Sequence, residues 1–142
     1  MKTTILMFLA LVGCATYGDV SVGPPAAVVD LPMNYQAVYA NALHTMRTCM
    51  NPGMTVIPGA TSVKIEADLF SDLGYGEITV GLSGGMPDTF SVTRIEKTAS
   101  GSRLSIWSGN MLPAPAARDR AWIVSWAKGG KSCSSGFDLP PT

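Results

Sequence analysis

Ser83 stands in the run Gly81-Leu82-Ser83-Gly84-Gly85. The spacing G-x-S-x-G is the one by which a nucleophile elbow exposes a serine hydroxyl on a sharp strand-to-helix turn. The flanking residues do not supply the rest of that chemistry. Met86-Pro87-Asp88 follows where a helix would have to begin, and the only histidine, His44, precedes the serine, the reverse of the order such hydrolases use. A hydrolase would need Ser83 and His44 brought together; the run reads instead as a glycine-rich hairpin turn. Gly130-Lys131-Ser132 ends like a phosphate-binding loop, but the first glycine of that motif would fall on Ser125. His44 has no second histidine with which to hold a metal ion, and Glu66, Asp68 and Asp72 read as carboxylates on a wet strand face. We therefore expect no catalytic residue, no metal, no cofactor and no enzyme activity. The aromatic side chains leave one further possibility: Trp107, Trp122 and Trp126 form a candidate pocket for a small apolar or lipid-like ligand, set against the commoner use of large aromatics as core.

Cysteine chemistry is more specific. Met1, Lys2 and two threonines precede an unbroken apolar run over residues 5–12, followed by Gly13 and Cys14, which is the layout of a secretory signal. The run is less than half the roughly 20 residues that a membrane-spanning helix needs. Its end, Leu11-Val12-Gly13-Cys14, resembles the lipobox of bacterial lipoproteins, and the resemblance covers this peptide alone. It implies a signal peptide over residues 1–13 and acyl chains, palmitate among them, on the Cys14 that becomes the N-terminus. Ala15 in place of Asp after that cysteine implies anchorage in the outer membrane, facing the periplasm. An ordinary secretory cut, for instance after Ala15, is the competing reading. One acyl chain gives only marginal binding at about 0.8 kcal/mol per buried methylene, whereas two or three give a stable anchor.

With Cys14 taken by lipid, Cys49 and Cys133 remain as thiols bound for an oxidising compartment, and they are expected to form a disulfide. Such a bridge stabilises by roughly 4 to 5 kcal/mol in the chain-entropy model, because it closes a loop of over 80 residues. Two unrelated buried thiols are the alternative.

These residues need elements to position them. Residues 14–30 are small, polar and broken by Gly18, Gly23, Pro24 and Pro25; they read as a lipidated tether that could reach about 50 Å when fully extended. A single α+β domain over 31–135 and a flexible tail over 136–142 follow. Tyr35, Val38, Tyr39, Ala42, Leu43, Met46, Cys49 and Met50 recur at helical spacing within 32–50, with Asn41, His44, Thr45, Arg47 and Thr48 off the stripe. Asp30 suits the cap and Pro32 the first turn. Segments 63–69, 77–82, 89–95 and 102–107 alternate in polarity and are separated by turn residues, so they read as a four-stranded antiparallel meander. Residues 116–128 read as a C-terminal helix packed with the first on one face of the sheet; a fifth strand competes, because Trp122, Val124 and Trp126 also alternate.

Ten basic and ten acidic residues become nine and ten once Lys2 is removed with the signal, a net charge of about −1. That balance offers no basic patch for nucleic acid. The charged fraction of 14% is well below the roughly 25% of ordinary domains, so recognition would rest on apolar contact and shape. The expected function is a non-enzymatic envelope lipoprotein, held to the membrane by its lipid and acting as a protein-interaction or structural accessory module toward an envelope protein partner. Replacing Cys14 with Ser should release the chain from membranes, and the native protein should take up labelled palmitate. Retention of the Ser variant after a carbonate wash, or no uptake by the native chain, would refute the anchor.

Overall fold

A computed structural model describes residues 20–50, 55–57, 61–83, 88–109, 113–133 and 140. The expected signal peptide, Cys14 and the expected flexible tail apart from Pro140 lie outside the described residues. The chain folds as α+β, with an antiparallel sheet and two helices. In chain order the elements are β1 (Ala27–Leu31), α1 (Tyr35–Cys49), β2 (Thr55–Ile57), β3 (Thr61–Phe70), β4 (Tyr75–Ser83), β5 (Asp88–Thr98), β6 (Gly101–Ser108) and α2 (Pro113–Ala127). The sheet order is β1-β6-β5-β4-β3-β2, with every pairing antiparallel.

The meander expected from alternation is β3 to β6, and two edge strands extend it. β1 pairs along β6, with Ala27 opposite Ile106 and Leu31 opposite Ser102. The sheet thus begins at Ala27, four residues before the expected start of the domain, and the last residues of the expected tether are strand. Asp30, expected to cap a helix, instead lies in β1 and accepts a two-pronged hydrogen bond from Arg103 at 2.8 and 3.1 Å. The cap of α1 is Asn34, whose side chain accepts from the Gln36 amide at 2.8 Å, as short polar side chains do at helix starts.

Cross-strand neighbours share a face, so the register sorts the side chains. One face carries Ile65, Ala67, Ile78, Val80, Ile95, Leu104 and Ile106, which pack with Val38, Ala42 and Met46 of α1 and with Trp122, Ile123 and Trp126 of α2. Both helices therefore cover the same side. Gly76 belongs to that side for a steric reason: a Cβ there would come within 2.5 Å of the Tyr39 ring, so only glycine lets α1 lie this close to β4. Thr45, expected off the apolar stripe, is buried, and its hydroxyl donates to the Gly130 carbonyl at 3.3 Å.

Segment 116–128 is helical rather than a fifth strand. The helix begins at Pro113, so Pro113 and Pro115 occupy its first turn, where a missing amide costs nothing, and Ala116, Trp122, Ile123, Trp126 and Ala127 are buried. It stops at Gly129, with φ +98°: the Gly129 amide donates to Trp126 O and the Gly130 amide to Ser125 O, the paired bonds of a Schellman stop. α2 runs against α1, since Asp119 lies by Cys49 and Met50 while Gly129 and Gly130 lie by Asn41 and Thr45. The chain after Gly130 then turns back toward the end of α1. There Ser132 O accepts from Trp126 Nε1 at 2.9 Å, and Cys133 is joined to Cys49 with Cα atoms 5.1 Å apart. The bridge spans 84 residues, so intact protein should be two hydrogens lighter than the dithiol. Reduction should remove roughly 4 to 5 kcal/mol and lower Tm by more than about 10 °C. An unchanged Tm after complete reduction would show that the clasp contributes nothing.

Candidate functional site

Apart from Cys14, which lies outside the described residues, each candidate site residue has a definite place in the structure. Ser83 is the last residue of β4, and its hydroxyl shares a 2.8 Å hydrogen bond with Ser62 at the start of β3. His44 is exposed on α1, in a groove of about 490 Å³ whose other lining includes Tyr39, Leu43, Arg47 and Leu69. Ser62 and Leu69 lie at opposite ends of β3, roughly 23 Å apart at the rise of a strand, so Ser83 and His44 are not brought together. Lys64 pairs with Glu66 at 2.6 Å on the exposed side of β3, and Asp68 is exposed on the same side.

The three tryptophans separate. Trp122 and Trp126 are 2% and 3% exposed, with ring centroids 6.0 Å apart, on the helix-covered side. With Cys49, Met50 and Asp119 they line a cavity of about 100 Å³, less than the roughly 150 Å³ of a dry cavity that takes benzene. Trp107 lies on the opposite face of the sheet, because Leu104 and Ile106 face the helices and its neighbour in sequence must point away. The candidate pocket thus reduces to Trp122 and Trp126. Burial pushes the Asp119 carboxyl up from its ordinary value, against the opposing pull of Arg118 and Arg120.

What lies around Trp107 is the most distinctive surface of the molecule. Phe70 of β3 and Tyr75 of β4 are register partners with ring centroids 4.8 Å apart. The Arg94 guanidinium of β5 sits 5.3 Å from the Tyr75 ring and 6.0 Å from the Trp107 ring of β6. Glu77 holds that guanidinium at 2.8 and 2.9 Å. An aromatic-cation-aromatic ladder therefore crosses four strands on the face that neither helix covers, its guanidinium aligned by a carboxylate and by two ring faces. Trp107 is fixed at its far edge, where Nε1 donates to Gly23 O at 2.8 Å.

The ladder leads to an apolar tip. Between β3 and β4 the chain turns through residues 71–74, closed by the Leu73 and Gly74 amides donating to Phe70 O and Ser71 O, with Gly74 at φ +73°. Leu73 at the tip is 71% exposed and Phe70 beside it 40%, whereas Leu69, also 40% exposed, points to the helix side with Gly76. None of these residues was singled out for function from sequence. The available signal was the alternation itself, which places Arg94 outward beside Ile95.

No three His, Cys, Asp or Glu side chains come together to hold a metal ion among the described residues, and no helix there is long and apolar enough to cross a membrane. Comparison of the chain with protein-family models, with curated proteins and with solved structures finds no match.

The position of Asp119 gives a pH-dependent expectation. Its carboxyl is raised in the folded state above 3.8, so the fold binds the proton more tightly than the unfolded chain and loses stability as pH rises through the folded value. Asp119→Asn should therefore raise Tm at pH 7, and the gain should vanish near pH 3, where both states are protonated. A gain of equal size at both pH values would contradict burial as the cause.

Proposed function

We propose that the chain is a non-enzymatic lipoprotein of the bacterial envelope, anchored through lipid on Cys14 in the outer membrane and facing the periplasm, and that its domain is a protein-interaction module. One observation carries the interaction reading: the exposed apolar side chains Phe70 and Leu73 lie at the end of the Tyr75–Arg94–Trp107 ladder, where the Phe70 and Tyr75 rings are 4.8 Å apart. Exposed apolar side chains are ordinary singly, but a contiguous set rimmed by polar residues marks contact surfaces, and aromatic and arginine side chains are the ones that carry binding energy there. The lipobox-like tetrapeptide carries the anchorage. The rival reading, a carrier of a small apolar ligand held at the tryptophans, rests on the cavity at Trp122 and Trp126, whose volume of about 100 Å³ is too small for an acyl chain.

A photo-crosslinking side chain at Leu73 in the native envelope should give a discrete protein adduct. The same probe at the exposed Lys128, just beyond α2, should not, and Phe70→Ser should abolish the Leu73 adduct while leaving Tm nearly unchanged. Equal labelling from both positions, or an adduct indifferent to Phe70, would reject the tip as the contact. A change in tryptophan fluorescence on adding envelope lipids, absent in a Trp126→Phe variant, would favour the carrier.

A further inference from the structure

The chain between the lipid and the fold is shorter than its composition suggests. Read as a tether, residues 14–30 could hold the domain about 50 Å from the anchor. In the folded protein, residues 20–26 are instead laid against the end of β6. The Ala26 amide donates to Ile106 O at 2.8 Å. Gly23 O receives the Trp107 indole, and the Val20 side chain comes within 3.3 Å of the place a Cβ on Gly109 would occupy. These contacts form a strap that leads the chain from the start of β1 to the Thr89–Gly109 end of the sheet, where Gly109 donates to Phe90 O at 2.7 Å. Five residues, 15–19, then remain between Cys14 and the strap, a reach of at most about 20 Å.

We propose that this strap sets which end of the domain meets the membrane: the Ser108–Gly109 end of the sheet is held against the bilayer that carries the Cys14 lipid, and the Leu73 tip is presented away from it. The proposal rests on the lipid-anchor reading. The topology supplies the polarity. β6 runs from Gly101 to Ser108 and β4 from Tyr75 to Ser83 in the same direction, each antiparallel to the β5 between them, so the registers put Gly101, Tyr75 and Phe70 at one end and Ser108 and Ser83 at the other. The first half of α2 lies toward the membrane end, with Arg120 at its middle donating to Ser108 Oγ at 3.1 Å. The start of α1 belongs to the far end, with Tyr35 donating to Ser71 O at 3.3 Å. The strand length of about 25 Å thus separates a membrane-facing end from a partner-facing end. With about 50 Å of free tether no such ordering would hold, because either end could turn toward the lipid.

The test has two arms on the full chain. In the first, the purified Cys14→Ser protein is examined by NMR for contacts between the Trp107 indole proton and residues 22–24, a readout that does not involve lipid. Contacts of that kind are expected, and their absence overturns the strap. In the second, the lipidated protein is reconstituted in phosphatidylglycerol–phosphatidylcholine vesicles containing an acceptor-labelled lipid, with a donor dye on Ala117→Cys at the start of α2 or on Ser100→Cys in the β5–β6 turn. Transfer from Ala117→Cys should exceed that from Ser100→Cys by about twofold, given the separation along the strands, and a flexible insertion of 15 residues after Asp19 should bring the two together. Equal transfer without the insertion, or the reverse order, overturns the orientation. Failure of the native chain to take up labelled palmitate while the Trp107 contacts persist would locate the error in the anchor rather than in the strap.

Discussion

The structure depends on a single two-faced sheet whose one apolar side must be covered. Ile78, Ile95, Leu104 and Ile106 are completely buried, and so are Val38, Ala42 and Met46 of the helix laid over them. Burial of this kind contributes about 1.5 to 3 kcal/mol per large side chain, and no other contiguous core exists among the described residues. Everything else follows from how closely the cover can approach. Gly76 removes the Cβ that would strike Tyr39, and Trp122 and Trp126 fill the space beside α1. Because both helices are used on one side, the other side has no helix over it and its side chains pack on one another, as the Phe70–Tyr75–Arg94–Trp107 series does and as the buried Val92 beside Trp107 shows.

The clasp between Cys49 and Cys133 resolves a geometric conflict in that cover. Two antiparallel helices put their C-terminal ends apart, yet Cys49 is the last residue of α1 and Cys133 follows the end of α2. The Schellman stop at Gly129 reverses the chain, and the Ser132 carbonyl, held by Trp126, carries it back to α1. The bridge therefore ties the tail rather than the second helix itself, and it closes over the cavity at Asp119.

Much of this was legible in the sequence wherever the signal was local. The four central strands announce themselves by alternation, and α1 by its apolar stripe, because both patterns come from near neighbours along the chain. β1 gives no such sign: its pairing partner is over 70 residues away, and Gly23, Pro24 and Pro25 before it make the segment look like linker. β2 is three residues long, too short for any period to register. Asp30 and Thr45 were misplaced for related reasons, since Arg103 claims the first and the returning tail buries the second, both by contacts that no window along the sequence contains. The site was less legible than the fold. Grouping Trp107 with Trp122 and Trp126 followed residue type, whereas the alternation of Leu104 and Ile106 already sends Trp107 to the other face.

The helix-covered face is closed, and Phe70, Leu73 and Tyr75 at the ladder end lie outside it. Hydroxyl-radical footprinting of the folded protein reads both faces in one experiment. Phe70, Leu73 and Tyr75 should be oxidised readily, while Met46, Trp122 and Trp126 should be protected despite their high intrinsic reactivity. Oxidation of Met46 at a rate matching that of Leu73 would contradict that closure.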